Sequence, residues 1–162
     1  MTSEEKDYFS AVYEKYADDL YRISLIYLKK REDAEEAVTD TFIRLMEYRP
    51  DFENESHEKA WLTKTAVNIC KNMHKSGWAK NVVHNEEVLS YMTTPQEVSI
   101  MEEVLSLPPK YRVIIYMHYY QGYKAAEIAQ MLNMKESTVL SRLSRGRKKL
   151  KDILIQGGFF YA

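Results

Sequence analysis

Two small helical domains joined by a flexible linker, the second a helix-turn-helix, make up the all-α architecture that three features of this sequence predict. Apolar residues return at steps of three and four along most of the chain. Glycine and proline are scarce, 5 and 4 in 162 residues, while Glu, Lys, Leu and Tyr are abundant. The periodicity lapses only between Ser76 and Pro95, where Ser, Asn, Thr and acidic residues dominate. The expected boundaries are 1–78 for the first domain, 79–94 for an acidic linker and 95–162 for the second domain.

In chain order, Phe9, Val12, Tyr13, Tyr16, Leu20, Ile23 and Tyr27 form the apolar stripe of a long first helix. The charged break KKRED leads to a second stripe of Ala34, Ala37, Val38, Thr41, Phe42, Leu45 and Tyr48. Pro50 ends it, because its ring disfavours helical backbone in the residue before it. Glu32, Asp33, Glu35 and Glu36 crowd the start of this helix on its outer face, where negative charge suits the positive end of the helix dipole. After the polar loop DFENESHE, a third helix from near Glu58 carries Trp61, Leu62, Thr65, Ile69 and Met73 on one side.

Beyond the lapse, Thr94-Pro95 reads as the N-cap and first residue of a helix through Ile100, Val104 and Leu105. Leu107-Pro108-Pro109 closes it and opens another with Tyr111, Ile114, Ile115, His118 and Tyr119, after which Gly122 supplies a left-handed residue. Ala125, Ile128, Ala129 and Leu132 then mark a short helix, Asn133 a left-handed turn, and Val139 and Leu143 a second helix, which is helix-turn-helix spacing.

The formal net charge of -1 conceals a division: -3 over residues 1–80, -5 over 81–105 and +7 over 106–162. Such asymmetry predicts a polyanion as partner of the C-terminal part and something else for the N-terminal part. The single cysteine, Cys70, forms no internal disulfide, and no apolar run nears the roughly 20 residues of a membrane span. The acidic start MTSEEKDYFS lacks the pattern of a secretory signal, so a reduced, cytoplasmic protein without membrane insertion is expected. Cys70 and His74 are too few ligands for a structural zinc site, and neither a glycine-rich phosphate loop nor a Gly-x-Ser-x-Gly elbow occurs. No catalytic residue, metal or cofactor is expected.

In the last helix, inward Val139 and Leu143 leave Thr138, Ser141, Arg142 and Arg145 on the opposite face at steps of three and four, and Ser137 is counted with them as a DNA-binding residue. Guanidinium forks suit a major groove, since arginine can donate two parallel hydrogen bonds to a guanine edge. Lys148 and Lys149, with Arg147 and Lys151, continue the charge and suit phosphates.

These residues resemble bacterial RNA polymerase sigma factors of the sigma-70 superfamily, in the small extracytoplasmic-function (ECF) group. Asp33-Ala34-Glu35-Glu36 with Asp40 and Phe42 is similar to the family's polymerase-clamp-binding helix, and Trp61-Leu62 with Asn68 to its promoter-melting helix. Leu107-Pro108, Arg112, Glu127-Ile128-Ala129, Thr138-Val139 and Ser141-Arg142-Leu143 through Arg145 and Arg147 resemble its DNA-reading module. The resemblance implies core RNA polymerase and promoter DNA, duplex and melted strand, as partners, and promoter recognition and opening as the task. It also admits an anti-sigma factor. Asp33, Glu36, Asp40 and Arg44 are the expected polymerase contacts. Opening requires that unstacked bases be caught: Phe52, Asn54 and Ser56 are expected to form a pocket for one everted base, and Lys64, Asn68, Lys71 and Asn72 to face a strand.

Four positions depart from the family pattern. Ser137 and Leu140 stand for the usual glycine and lysine around Thr138-Val139, and Val67 for an arginine before Asn68. Gly146 replaces alanine, at about 1 kcal/mol of helix propensity. Promoter preference therefore does not carry over. An ordinary helix-turn-helix repressor or activator, binding symmetric half-sites without polymerase, is the alternative; a helical adaptor that binds only proteins is a third reading.

Overall fold

A computed structural model describes residues 1–75, 85–91 and 100–157. The chain divides into two compact units, Met1–Val82 and Val83–Ala162. Among the described residues there are α-helices and one π turn, and no strand.

The first unit is three helices, α1 (Ser3–Leu28), α2 (Arg31–Tyr48) and α3 (Glu55–Lys75), each packed on the other two. Helix α1 starts one turn and more before its first predicted stripe residue because Thr2 and Glu5 close a capping box. Glu5 N donates to Thr2 Oγ1 (3.1 Å) and Thr2 N to Glu5 Oε2 (2.9 Å). Lys29 and Arg49, both left-handed, end α1 and α2. Helix α3 begins earlier than the apolar pattern predicts, because Asn54 Oδ1 accepts from His57 N at 2.8 Å and caps it.

The core of this unit gathers Val12, Tyr16, Leu20, Val38, Phe42, Leu45, Leu62 and Ala66. Tyr13 and Tyr48, expected on the buried stripes, are instead 53% and 72% exposed. Tyr13 lies at the stripe's edge, its ring tilted against Phe42 with centroids 5.0 Å apart, and Tyr48 is in the final turn of α2.

In the second unit, α4 (Asn85–Ser90) packs on α5 (Met101–Leu105) with Val88 wholly buried. A helix thus lies within the stretch expected as linker. The start expected at Thr94-Pro95 lies outside the described residues. Pro109 opens α6 (Pro109–Ile115), which runs on as a π turn through Tyr116–Tyr120. Buried Arg112 donates from Nη1 to the carbonyls of Leu105 (3.1 Å) and Leu107 (2.8 Å), tying α6 to the end of α5.

Gly122 (φ +78°) ends the π turn, and His118 Nδ1 meets the Tyr123 carbonyl at 2.7 Å. Then come α7 (Ala125–Leu132), left-handed Asn133 (φ 53°) and α8 (Glu136–Gln156). This is the predicted helix-turn-helix. Gly146 has a packing reason that the propensity argument overlooks: a Cβ there would lie 3.2 Å from Ile115 Cγ1 and 3.3 Å from Tyr111 Cβ. Its lack of a side chain lets α8 approach α6 closely.

Candidate nucleic-acid interface

Helix α8 presents its polar residues because its apolar ones form a single row. Val139, Leu143, Gly146, Leu150 and Leu154 turn inward at steps of three and four. At 100° per residue, Ser137, Ser141, Arg145 and Lys148 fall on the far side, whereas Arg142, expected there, stands at its flank, because it directly precedes buried Leu143. Ser137, Arg145, Lys148 and Lys149 are exposed, while Thr138, Ser141 and Arg142 are half-buried. Among the described residues Arg142, Arg145 and Lys148 have no hydrogen-bond or ion-pair partner.

Two neighbouring cations are partly engaged. Arg147 Nη1 donates to Tyr119 Oη (3.1 Å), and Lys149 Nζ lies 5.7 Å from the centre of the Tyr111 ring. Tyr119, predicted with the apolar face of its helix, is 52% exposed through the π turn and receives this bond.

On α3, buried Leu62, Ala66, Ile69 and Cys70 leave half-buried Lys64 and exposed Asn68, Lys71 and Asn72 on one outward face. The loop before α3 differs from its expected pocket. Phe52 packs on the core, edge-on to His57 and Trp61 with centroids 5.3 and 6.0 Å away. Asn54 uses its carbonyl oxygen as the cap of α3, while Ser56 is exposed.

Phe52 also lines a cleft of about 600 Å³ with Tyr8, Arg49, Asp51 and Glu58, residues that the sequence argument missed. Glu58 accepts from both Tyr8 Oη and Tyr16 Oη at 3.0 Å. Arg49 Nη1 donates to Glu5 Oε1 at 2.8 Å, and Lys15 pairs with Glu55. Burial and donation to Glu58 push the Tyr8 hydroxyl up to about 12. Helix α1 therefore braces both ends of the loop, through partners some 40 to 50 residues apart that no local pattern connects.

Helix α2 carries the third candidate group. Glu36, Asp40 and Arg44 lie in one row at steps of four; Glu36 and Arg44 are exposed and Asp40 is half-buried. Asp33 departs from expectation: it is 3% exposed, on the buried side with Ala34 and Ala37, not on the outer face. Cys70 is buried, its thiol pushed up to about 12 by desolvation, while His74 turns its ring toward Tyr27.

Comparison with known proteins places this arrangement. Residues 12–80 match Sigma-70 region 2, and residues 97–150 match Sigma-70, region 4. The ECF RNA polymerase sigma factor SigX of Bacillus subtilis is 25% identical over 158 residues, covering 88% of this chain and 81% of SigX. SigL of Mycobacterium tuberculosis, named likewise, is 28% identical over 159 residues, covering 91% and 89%. Two solved structures share the fold. CnrH in complex with the cytosolic domain of CnrY superposes with TM-score 0.70 at 18% identity, over 93% of this chain and 90% of CnrH. RpoE of Bartonella quintana, in complex with the anti-sigma factor NepR, gives 0.63 at 20% identity, over 90% and 96%.

Proposed function

The chain belongs to the sigma-70 family, and from that premise we propose how its two units divide the family's task. It is a transcription initiation factor of the ECF type: it binds core RNA polymerase, directs it to promoters and helps open the DNA. In our reading the second unit recognises the upstream promoter element. The observation that carries this is the row of donors on α8 that have no partner among the described residues, on a helix-turn-helix at the basic end of the chain. Ser137, Thr138, Ser141, Arg142 and Arg145 meet base edges, while Lys148 and Lys149 hold phosphates.

The first unit meets polymerase and the melted strand. Glu36, Asp40 and Arg44 form the polymerase-facing row of α2; Asp33 supports it from within. Lys64, Asn68, Lys71 and Asn72 face the strand, and the loop carrying Phe52, Asn54 and Ser56 must re-form locally for Phe52 to leave its packing and catch a base. The protein acts in the cytoplasm with no catalysis of its own; among the described residues no helix is long and apolar enough to cross a membrane. An anti-sigma factor is a further proposed partner, by analogy with NepR on RpoE, covering exposed Tyr13, Ile43 and Tyr48 of the first unit.

The charge division makes free protein a weak binder, because a +7 segment is tethered to segments of -3 and -5 that DNA repels. A mobility-shift titration at near-physiological salt, with and without core polymerase, tests this, with permanganate detecting unpaired thymines. Tight binding only with core, accompanied by melted bases, is expected. Tight sequence-specific binding by the free protein, with no melting when core is added, would overturn the reading and favour the repressor.

A further inference from the structure

One side chain on the reading helix is out of character with its surroundings. Leu140 is 49% exposed, between fully buried Val139 and half-buried Ser141, on a stretch of α8 whose other outward residues are polar. Its neighbours one turn away on the exposed side are Ser137 and Ser144, too short to cover it, so the isobutyl group stands above them. Nothing polar in this leucine can serve a phosphate or donate to a base.

An isolated apolar side chain among donors is matched by one feature of duplex DNA. In the major groove the exposed apolar group is the C5-methyl of thymine, and arginine recognition of guanine goes on around it. A protein partner fits less well, because such a surface calls for a contiguous apolar patch. Ile155, the next exposed aliphatic residue on this helix, is fifteen positions on, about 22 Å along the axis.

We propose that Leu140 is a specificity-determining residue that reads the methyl group of a thymine in the upstream promoter element. The inference rests on the sigma-factor reading above and deepens it: the serines bring the helix close to the base edges, Arg142 and Arg145 supply polar discrimination, and Leu140 adds an apolar contact. Where the family usually has a lysine, this chain has an apolar side chain instead.

The test uses the full chain with core polymerase. Upstream duplexes are enriched from a random library, and each thymine of the enriched sequence is then replaced singly by uracil, which removes only the methyl group. Wild-type holoenzyme should lose about fourfold in affinity at one thymine, the change that corresponds to one methyl group leaving an apolar contact. Leu140→Ala, whose exposed site keeps the helix intact, should bind thymine and uracil duplexes alike. Leu140→Lys should also lose the discrimination and steepen the salt dependence by about one unit of log–log slope.

Failure to enrich any upstream sequence sinks the sigma-factor reading and this inference together. An enriched sequence whose thymines all tolerate uracil, or persistent discrimination in Leu140→Ala, overturns the role of Leu140 alone.

Discussion

Helices α2 and α8 are built by the same rule, and in the reading proposed above they serve opposite partners. Both start without a side-chain cap, and both turn one face to a core and a charged face outward. The outward face of α2 is mainly acidic, as suits a basic protein surface, and that of α8 is basic, as suits a polyanion. They differ in how much of each is covered. Helix α2 lies against α1 and α3, of 26 and 21 residues, and buries a band two residues wide from Asp33 to Leu45. Helix α8 meets helices of 5, 7 and 8 residues and buries a single row. Long neighbours widen the buried arc, and a residue at its margin can be drawn inside.

The largest expected effect breaks this contrast at its margin. Asp33→Lys places an ammonium where only 3% of the residue is exposed, and should destabilise the first unit by about 3 kcal/mol or more. The double change Glu36→Lys, Asp40→Lys should leave unfolding nearly as it is, since outward helix positions tolerate such swaps, yet abolish co-purification with core polymerase. Urea unfolding followed by circular dichroism, together with the pull-down, separates the two. Retention of core by the double variant removes polymerase binding from α2.

That margin is also where the sequence was least legible. Periodicity located all three helices of the first unit and the helix-turn-helix, because those patterns are local and repeat every three or four residues. It put Asp33 outside and Tyr13 inside, since a stripe gives the direction of burial but not its width. Width depends on the neighbours. The brace of Tyr8, Tyr16 and Glu58 was invisible for a related reason: a hydrogen bond spanning 50 residues leaves no trace in local spacing. Gly146 looked like a propensity penalty because the Ile115 side chain and the Tyr111 Cβ that it accommodates belong to another helix.

The next effect sharpens the comparison on the basic side. Arg142→Ala and Arg145→Ala should each weaken upstream recognition by about 1–3 kcal/mol where a base contact is lost, selectively for the preferred sequence. Lys148→Ala should weaken binding to all sequences alike and lower the salt slope by about one. Holoenzyme titrations on matched and scrambled upstream duplexes distinguish these roles; equal, sequence-blind losses from all three would erase the division between reading and anchoring.

Smaller still is the response of the close approach between α8 and α6. Gly146→Ala gains about 1 kcal/mol of helix propensity but forces Ile115 and Tyr111 aside by a few tenths of an ångström, so the two nearly cancel. Gly146→Val gains little propensity and adds more volume at the same contact, and should destabilise the second unit by about 1–3 kcal/mol. Thermal melts of the three proteins rank them; a valine variant as stable as wild type would mean that α8 can move away freely.

The smallest expected effect is a deliberate absence of change, read at Cys70. This lone thiol is 1% exposed in the first unit, and burial pushes it up to about 12, so at pH 8 the folded unit offers a disulfide reagent neither access nor thiolate. Unfolding returns it to about 8.5, where a sizeable fraction ionises. Because the folded unit holds this proton more tightly, its contribution to stability is intact below about pH 8.5 and falls as pH rises toward 12. Labelling at pH 8 therefore reports opening of the first unit. Asp33→Lys should accelerate it strongly, in line with its lost stability. Gly146→Val, which strains the core of the other unit, should leave the rate as in wild type. If it speeds labelling as much as it lowers the melt, the two units unfold as one, and the stability contrast between α2 and α8 has to be read as a property of the whole chain.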